Sequence, residues 1–368
     1  MIDLAAAIRE RQLSPVDVTN HYLRRTEELN AQVGAFYTVT AELAQDQARA
    51  AEKAVTERSE SGAAPPLLGV PIPIKDLNMV DGVRLTFGSA VYEAYVAAGD
   101  DYVVAAIRSA GAVITGKTGT PEFGLSCYTE TAIGPPARTP WDLTRSAGGS
   151  SGGAAAAVAS RLAPAAQGSD GGGSIRIPSS VCGLFGIKPS RGRVSEWPIV
   201  PDLFGLAVNG PIARTVADAA LLLDVMSCNY PGDMYTLPPL PEGETFLGGE
   251  LIFAQAYLQA VLRPALAAMN AYDAILTPTV ASPPVPVGYF TEVGPAENFE
   301  RQKRFTPFTA AYNLSGQPAV NLPLHWNAEG LPIGVMLAGR IGEEGTLISL
   351  SAQIEEAHPW RDRVLPAI

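Results

Sequence analysis

Apolar positions along the chain change period several times, and each change marks an element. Met1 to Arg11 mixes alanines with charge and reads as a short helix, since charge interrupts it before an apolar run of signal-peptide length can form. Ser14 before Pro15 opens a second helix: the serine oxygen can accept from free N–H groups, and proline suits the first helical position. Val18, Tyr22 and Leu29 then recur at helical spacing on one face. Val70 to Ile74 is a short apolar run, read as a buried extended segment that delivers Lys75 at its end. Pro71 and Pro73 remove alternate ladder donors from it, which predicts a sheet edge. Asp101 to Ala110 predicts a helix, Gly111 its stop and Ala112 to Thr115 the next strand. Further on, the pattern predicts a buried helix over Thr215 to Met226, a strand over Ala274 to Leu276 and a proline-rich loop over Pro278 to Pro295. Glu343 to Ala357 follows as an amphipathic helix. This is the rhythm of an α/β sheet protein.

From Arg145 to Pro189 glycine, serine and alanine dominate. A flexible linker of that composition would not also carry Ile175, Ile177, Val181, Leu184 and Ile187, so the stretch reads as tightly packed loops and helices. Composition narrows the function more than the fold. The 37 acidic and 26 basic side chains give a net charge of −11, the wrong sign for gathering phosphates, so nucleic acid is not the expected ligand. Hydrophobic residues at 47% against 17% charged exclude a disordered chain. Cys127, Cys182 and Cys228 cannot all pair and show neither CxxC nor zinc spacing, which fits a reducing compartment. Apolar runs such as Gly152 to Ser160 stop far short of the roughly 20 residues of a membrane span. The expectation is a soluble, cytoplasmic protein without a membrane partner.

Three pieces carry candidate chemistry: Lys75, the run Gly148-Gly149-Ser150-Ser151-Gly152-Gly153, and the run Gly168-Ser169-Asp170-Gly171-Gly172-Gly173-Ser174-Ile175-Arg176. With Cys182-Gly183 and Gly186-Ile187-Lys188-Pro189 behind them, they make the chain resemble the amidase signature family from near Ser14 to Pro323. The resemblance implies a Ser-Ser-Lys triad: Ser174 as nucleophile, Ser150 as bridging serine after a cis peptide, and Lys75 as base. It also implies a single domain over 1–368 with its signature core at about 70–195. A mixed, twisted central sheet covered by helices on both faces is expected, with the triad in an interior cleft.

The residue chemistry agrees with those roles. A serine hydroxyl is a weak nucleophile until a base takes its proton, and lysine is that base only when neutral. A free lysine titrates near ~10.4, so burial without a carboxylate partner is needed to bring it down. Asp76 is adjacent, but in an extended segment it points to the opposite face. The residue between base and nucleophile must both accept and donate, which a serine hydroxyl does. Gly171, Gly172 and Gly173 could turn several backbone N–H groups toward one oxyanion. Ser151 is read as a helix cap at the edge of the site, and Asp170 with Arg176 as a pair fixing the loop. The expected reaction is acyl transfer from a small amide to Ser174 and then to water, with no metal or organic cofactor.

Competing patterns are weaker. Gly148 to Gly152 also matches the GxSxG elbow of α/β-hydrolase esterases, which would need His325 or His358 as its late histidine. Lys117-Thr118-Gly119 resembles the KTG element of penicillin-binding enzymes, but no SxxK accompanies it, and the glycine loops lack the GK[ST] ending of a P-loop. His21, His325 and His358 are dispersed, against a histidine metal site. A component of a glutamine-dependent tRNA amidotransferase is the other reading, with a partner bringing the RNA. Cys127, Tyr128, Phe204 and Tyr312 are candidate pocket walls that favour a neutral, apolar acyl or aryl amide. A homodimer is one admissible assembly. The chain is also shorter than is usual for the family; the abbreviation falls near Phe246 to Ile252 and is expected to alter a substrate-binding wall.

Overall fold

Helices and strands alternate as the periodicities predict, and the α/β class is the one observed. In a computed structural model of the chain, the residues described are 1–57, 64–198, 205–230, 233, 235–237, 266–269 and 271–366. The first part holds helices α1 (Ile2–Arg9) and α2 (Pro15–Val33), strand β1 (Phe36–Val39), helix α3 (Ala41–Glu57), strand β2 (Ile74–Lys75), helix α4 (Tyr102–Ser109) and strand β3 (Gly116–Thr118). Helix α5 (Gly152–Ala159), strand β4 (Ala165–Asp170), helix α6 (Arg176–Cys182), strands β5 (Phe185–Lys188) and β6 (Val208–Ala213) and helix α7 (Val216–Met226) follow. The chain closes with strand β7 (Ile275–Pro278), helices α8 (Pro295–Phe305) and α9 (Ala310–Ser315), strands β8 (Ala319–Trp326) and β9 (Pro332–Ala338), and helix α10 (Glu344–Ala357).

Local chemistry sets the boundaries. Ser14 Oγ accepts from the backbone N–H groups of Val16 and Asp17, which starts α2 where the Ser-Pro pair predicts. Thr215 Oγ1 accepts from Asp218 N and starts α7 in the same way. The strand expected over Ala112 to Thr115 begins later, at Gly116. Val113 instead forms an isolated bridge with Pro71, exchanging bonds with Val70 and Ile72. Pro71 and Pro73 have no N–H to extend that ladder, so regular pairing starts only past them, where Ile74 and Lys75 run parallel to Lys117 and Thr118. The strand expected over Ala274 to Leu276 lies one residue later and reaches Pro278, antiparallel to β9.

The strands form a three-stranded sheet, β1-β3-β2, and a six-stranded one, β4-β6-β5-β8-β9-β7. The smaller sheet pairs β3 antiparallel to β1 and parallel to β2. Every pair of the larger sheet is antiparallel. Gln167 N donates to Pro73 O, so the end of β2 lies against β4. Successive residues of the larger sheet feed two cores, as the period of two requires. Ala165, Ala213, Phe185 and Val320 join residues of α1, α4, α7 and α10 on one side, whereas Ala166 and Ile212 join α5 and α6 on the other. Among the described residues no helix is long and apolar enough to cross a membrane.

Candidate active site

Lys75 stands at the end of β2, where β-pairing to β3 fixes its backbone, and its side chain is fully buried. Gln167 Oε1 accepts from its backbone N–H at 2.9 Å. Among the described residues the Nζ atom has three hydrogen-bond partners: Ser150 Oγ at 2.8 Å, Ser169 Oγ at 3.0 Å and Ser169 O at 3.3 Å. None is a carboxylate. Burial brings the Lys75 amine down from 10.5 to about 7, with Asp170 pulling the other way. Asp76 takes the opposite face and receives Lys117 Nζ at 2.9 Å and the Thr86 hydroxyl and N–H, so it leaves Lys75 unneutralised. A neutral amine fits this setting atom by atom. Nζ donates to all three oxygens, and on losing one proton it would keep two N–H groups for Ser169 and present a lone pair to the Ser150 hydroxyl.

The Gly149–Ser150 peptide is cis. A Cβ on Gly149 would meet the backbone of Tyr128 at 2.7 to 2.8 Å, so this position has room only for glycine. Ser151 sits at the N-cap of α5, but the capping expectation is corrected: its hydroxyl makes no cap bond. It donates to Ser169 O and accepts from Ser169 N, and its N–H donates to Ser174 O. The residue therefore staples the Ser150 segment to the loop that carries Ser174. The Ser174 hydroxyl forms no hydrogen bond with a described residue, and it lines the same cavity as Ser150.

Asp170, at the end of β4, organises the glycine loop. It accepts from Gly173 N at 2.8 Å, Ile175 N at 3.2 Å, and Arg176 Nε and Nη2 at 2.9 and 2.8 Å. Arg176 is itself buried and donates onward to Thr309 O and to Asn313 Oδ1. The guanidinium holds the Asp170 carboxyl well below the usual carboxylate range despite its burial. Asn313 Nδ2 returns to Asp170 O and Oδ1 and to Leu206 O. This network corrects one oxyanion assignment: the single N–H of Gly173 is already given to Asp170, so it cannot also serve a substrate oxygen. Gly173 is required for shape instead, with φ at +129° and Thr309 and Ile177 where a Cβ would go. The N–H groups of Gly171, Gly172 and Ser174 carry no partner among the described residues.

These groups line a cavity of about 730 Å³. Its apolar wall comes from Leu77, Phe87, Tyr92, Phe123, Leu125 and Ile177, and Phe123 and Leu125 are 48% and 83% exposed at its mouth. Cys127 lines it as expected, with burial pushing its thiol up to about 12. Tyr128 does not. Its ring stacks on Phe290 at 4.8 Å in the core, and its hydroxyl accepts from Asn298. Tyr312 is likewise buried beside Ala319 and Met336, away from the cavity wall, because the short helix α9 that carries it turns it inward. Phe204 lies outside the described residues, as does the abbreviated stretch near Phe246 to Ile252. Sequence reasoning missed Ser169, Gln167, Thr309, Asn313 and Glu196. Ser169 stood inside the glycine-serine motif and could have been read there, whereas the others meet the site only through the fold. His325 and His358 are both exposed and outside the cavity, so the GxSxG reading lacks its histidine. Among the described residues no group of His, Cys, Asp and Glu could hold a metal.

The family profile described as Amidase matches residues 17–249 and 240–348. The chain is 35% identical to the protein named "Putative amidase AmiB2" of Mycobacterium tuberculosis, across 93% of this chain and 92% of that one. That alignment runs over 431 positions, more than the 368 residues here, so positions of the relative stand opposite gaps in this chain. A 45% identity over 231 residues, 63% of this chain and 47% of the other, relates it to a component of the glutamyl-tRNA(Gln) amidotransferase of Thioalkalivibrio sulfidiphilus. Among solved structures, 6-aminohexanoate cyclic dimer hydrolase complexed with substrate superposes with a TM-score of 0.85 at 27% identity, covering 98% of this chain and 97% of that one.

Proposed function

The chain belongs to the amidase family, and on that footing we propose that it hydrolyses a small amide with an apolar acyl or aryl portion through an acyl-enzyme on Ser174. The observation that carries the reading is the fully buried Lys75 amine, bonded to no carboxylate among the described residues and lying 2.8 Å behind Ser150 Oγ, which lines the same cavity as Ser174. Ser174 Oγ attacks the amide carbonyl while its proton moves to Ser150 Oγ and the Ser150 proton moves to Lys75 Nζ. The oxyanion is received by N–H groups of Gly171, Gly172 and Ser174, each donor lowering the barrier by about 3 kcal/mol. The proton held by Lys75 then returns through Ser150 to the leaving amine, and the same base activates the water that frees the acid. Asp170, Arg176 and Asn313 hold the loop in the conformation that aims those donors. The aromatic and aliphatic mouth supports an apolar portion on the substrate.

The test is a panel of aryl, alkyl and amino-acid amides, glutamine included, assayed with the wild-type chain, Ser174→Ala and Lys75→Ala. Loss of at least about 10³-fold in both variants on the same substrate is expected. Turnover that survives in Ser174→Ala removes that serine as nucleophile. Turnover confined to glutamine moves the chain to the amidotransferase reading.

A further inference from the structure

We propose that Glu196 selects substrates carrying a cationic amine, which it receives at the wall of the cavity that holds Ser150 and Ser174. The inference rests on this cavity being the place where the amide is held.

Glu196 lines the cavity, and among the described residues its carboxyl is held by one alone. Oε1 accepts from Asn209 N at 3.0 Å and Oε2 from Asn209 Nδ2 at 2.9 Å. A carboxylate can accept about four hydrogen bonds, so these two leave half of its capacity unspent. No described basic side chain pairs with it. The residue is also keyed to the reacting centre, because Asn209 Oδ1 accepts from Gln167 Nε2 at 2.7 Å and Gln167 Oε1 accepts from Lys75 N. Two side chains thus fix the carboxyl relative to the base.

A second carboxyl stands beside the first. Asp101 lines the same cavity and is only 5% exposed, yet its Oδ1 has no hydrogen-bond partner, its other oxygen being taken by Asn78 and Met79. The two acidic segments are joined directly: Tyr102 N donates to Trp197 O at 2.9 Å. Asp101 Oδ1 is itself buried, so it adds negative field beside the cavity rather than an acceptor, and the open acceptor that a charged N–H donor satisfies best is that of Glu196. Burial pushes Glu196 up to about 8, and Asp101 and Asp233 add to the rise, so near neutral pH the acid is largely protonated until a cation arrives to supply the counter-charge and draw it into the carboxylate form. The aromatic mouth would then hold the apolar body of the same molecule.

The probe is phenethylamine, paired with its uncharged isostere phenethyl alcohol, and binding of each to the full chain is measured by calorimetry. The wild-type chain should bind the amine at least about tenfold more tightly than the alcohol, a difference of about 1.4 kcal/mol. Glu196→Gln should bring the two within about twofold, and Asp101→Asn should cut the ratio by about threefold, which keeps the comparison decisive if the first variant folds poorly. Equal affinity for the two probes on the wild-type chain overturns the proposal, as does an unchanged ratio in the variant that folds. Because the readout is binding, repeating it in Ser174→Ala separates this inference from the assignment of the nucleophile: the amine preference should persist there even where hydrolysis is lost.

Discussion

Lys75 combines two opposed demands, since the burial that makes its amine a base also makes it a burden on folding. Its pKa of about 7 in the folded chain lies below the 10.5 of the free group. Below about 7 the full cost of stripping or burying that proton falls on the folded state, and the cost disappears only as pH rises toward 10.5. Replacing Lys75 by methionine should therefore abolish turnover and yet raise the melting temperature at pH 7 by a few degrees. That advantage should shrink steadily between pH 7 and 10.5, and thermal melts across this range check the sign. The same titration predicts a rising limb in kcat/KM with an apparent pKa near 7, because only the neutral amine can take a proton from Ser150. Substrates of different leaving-group basicity should share that limb if it belongs to the free enzyme.

At the scale of elements, the loop between β4 and α6 is held by charge and shape, which separate substitutions can distinguish. Gly173→Ala puts a Cβ onto Thr309 and Ile177 at a positive φ and should cost at least about 2 kcal/mol of stability in denaturant melts. Gly172→Ala meets nothing within 4 Å and should leave the midpoint unchanged within about 0.5 kcal/mol, so any loss of rate there is felt by the substrate. Asp170→Ala strands the buried Arg176 guanidinium and should cost about 3–5 kcal/mol. The Asp170 and Arg176 pair was legible in the sequence because its members stand only six positions apart, at the two ends of one loop. Their supports Thr309 and Asn313 lie more than 130 residues away, on the turn leading into α9 and within it, and no local pattern announces them. The oxyanion assignment of Gly173 failed for a related reason: a glycine run shows that backbone can approach closely, not which N–H is already spent.

For the whole molecule, the net charge of −11 and the two carboxyls of the cavity act in one direction. An amide bearing a carboxylate should be turned over at least about tenfold less efficiently than its neutral isostere, and the gap should narrow as salt screens the field. Initial rates of both isosteres at two ionic strengths measure this. The cavity mouth is built from the aromatic cluster of Phe87, Tyr92 and Phe123, whose rings meet edge to face at 5.2 to 6.2 Å. Phe87 and Tyr92 come from the segment after β2 and Phe123 from the one after β3, so the mouth exists only once those two segments have docked.

The linear order of residues was enough to set the α/β rhythm and the helix starts at Ser14 and Thr215, because each rests on neighbours within a few positions, while the family resemblance singled out the lysine and the two serines as candidates. Folding alone decided that Lys75 faces Ser150 and Ser169 while Asp76 turns to Lys117, that Tyr128 and Tyr312 go to the core, and that Glu196 and Asp101 enter the cavity. The physical reason is range: caps and turns are fixed by short-range hydrogen bonds, whereas a buried charge takes its character from whatever distant segments exclude water around it.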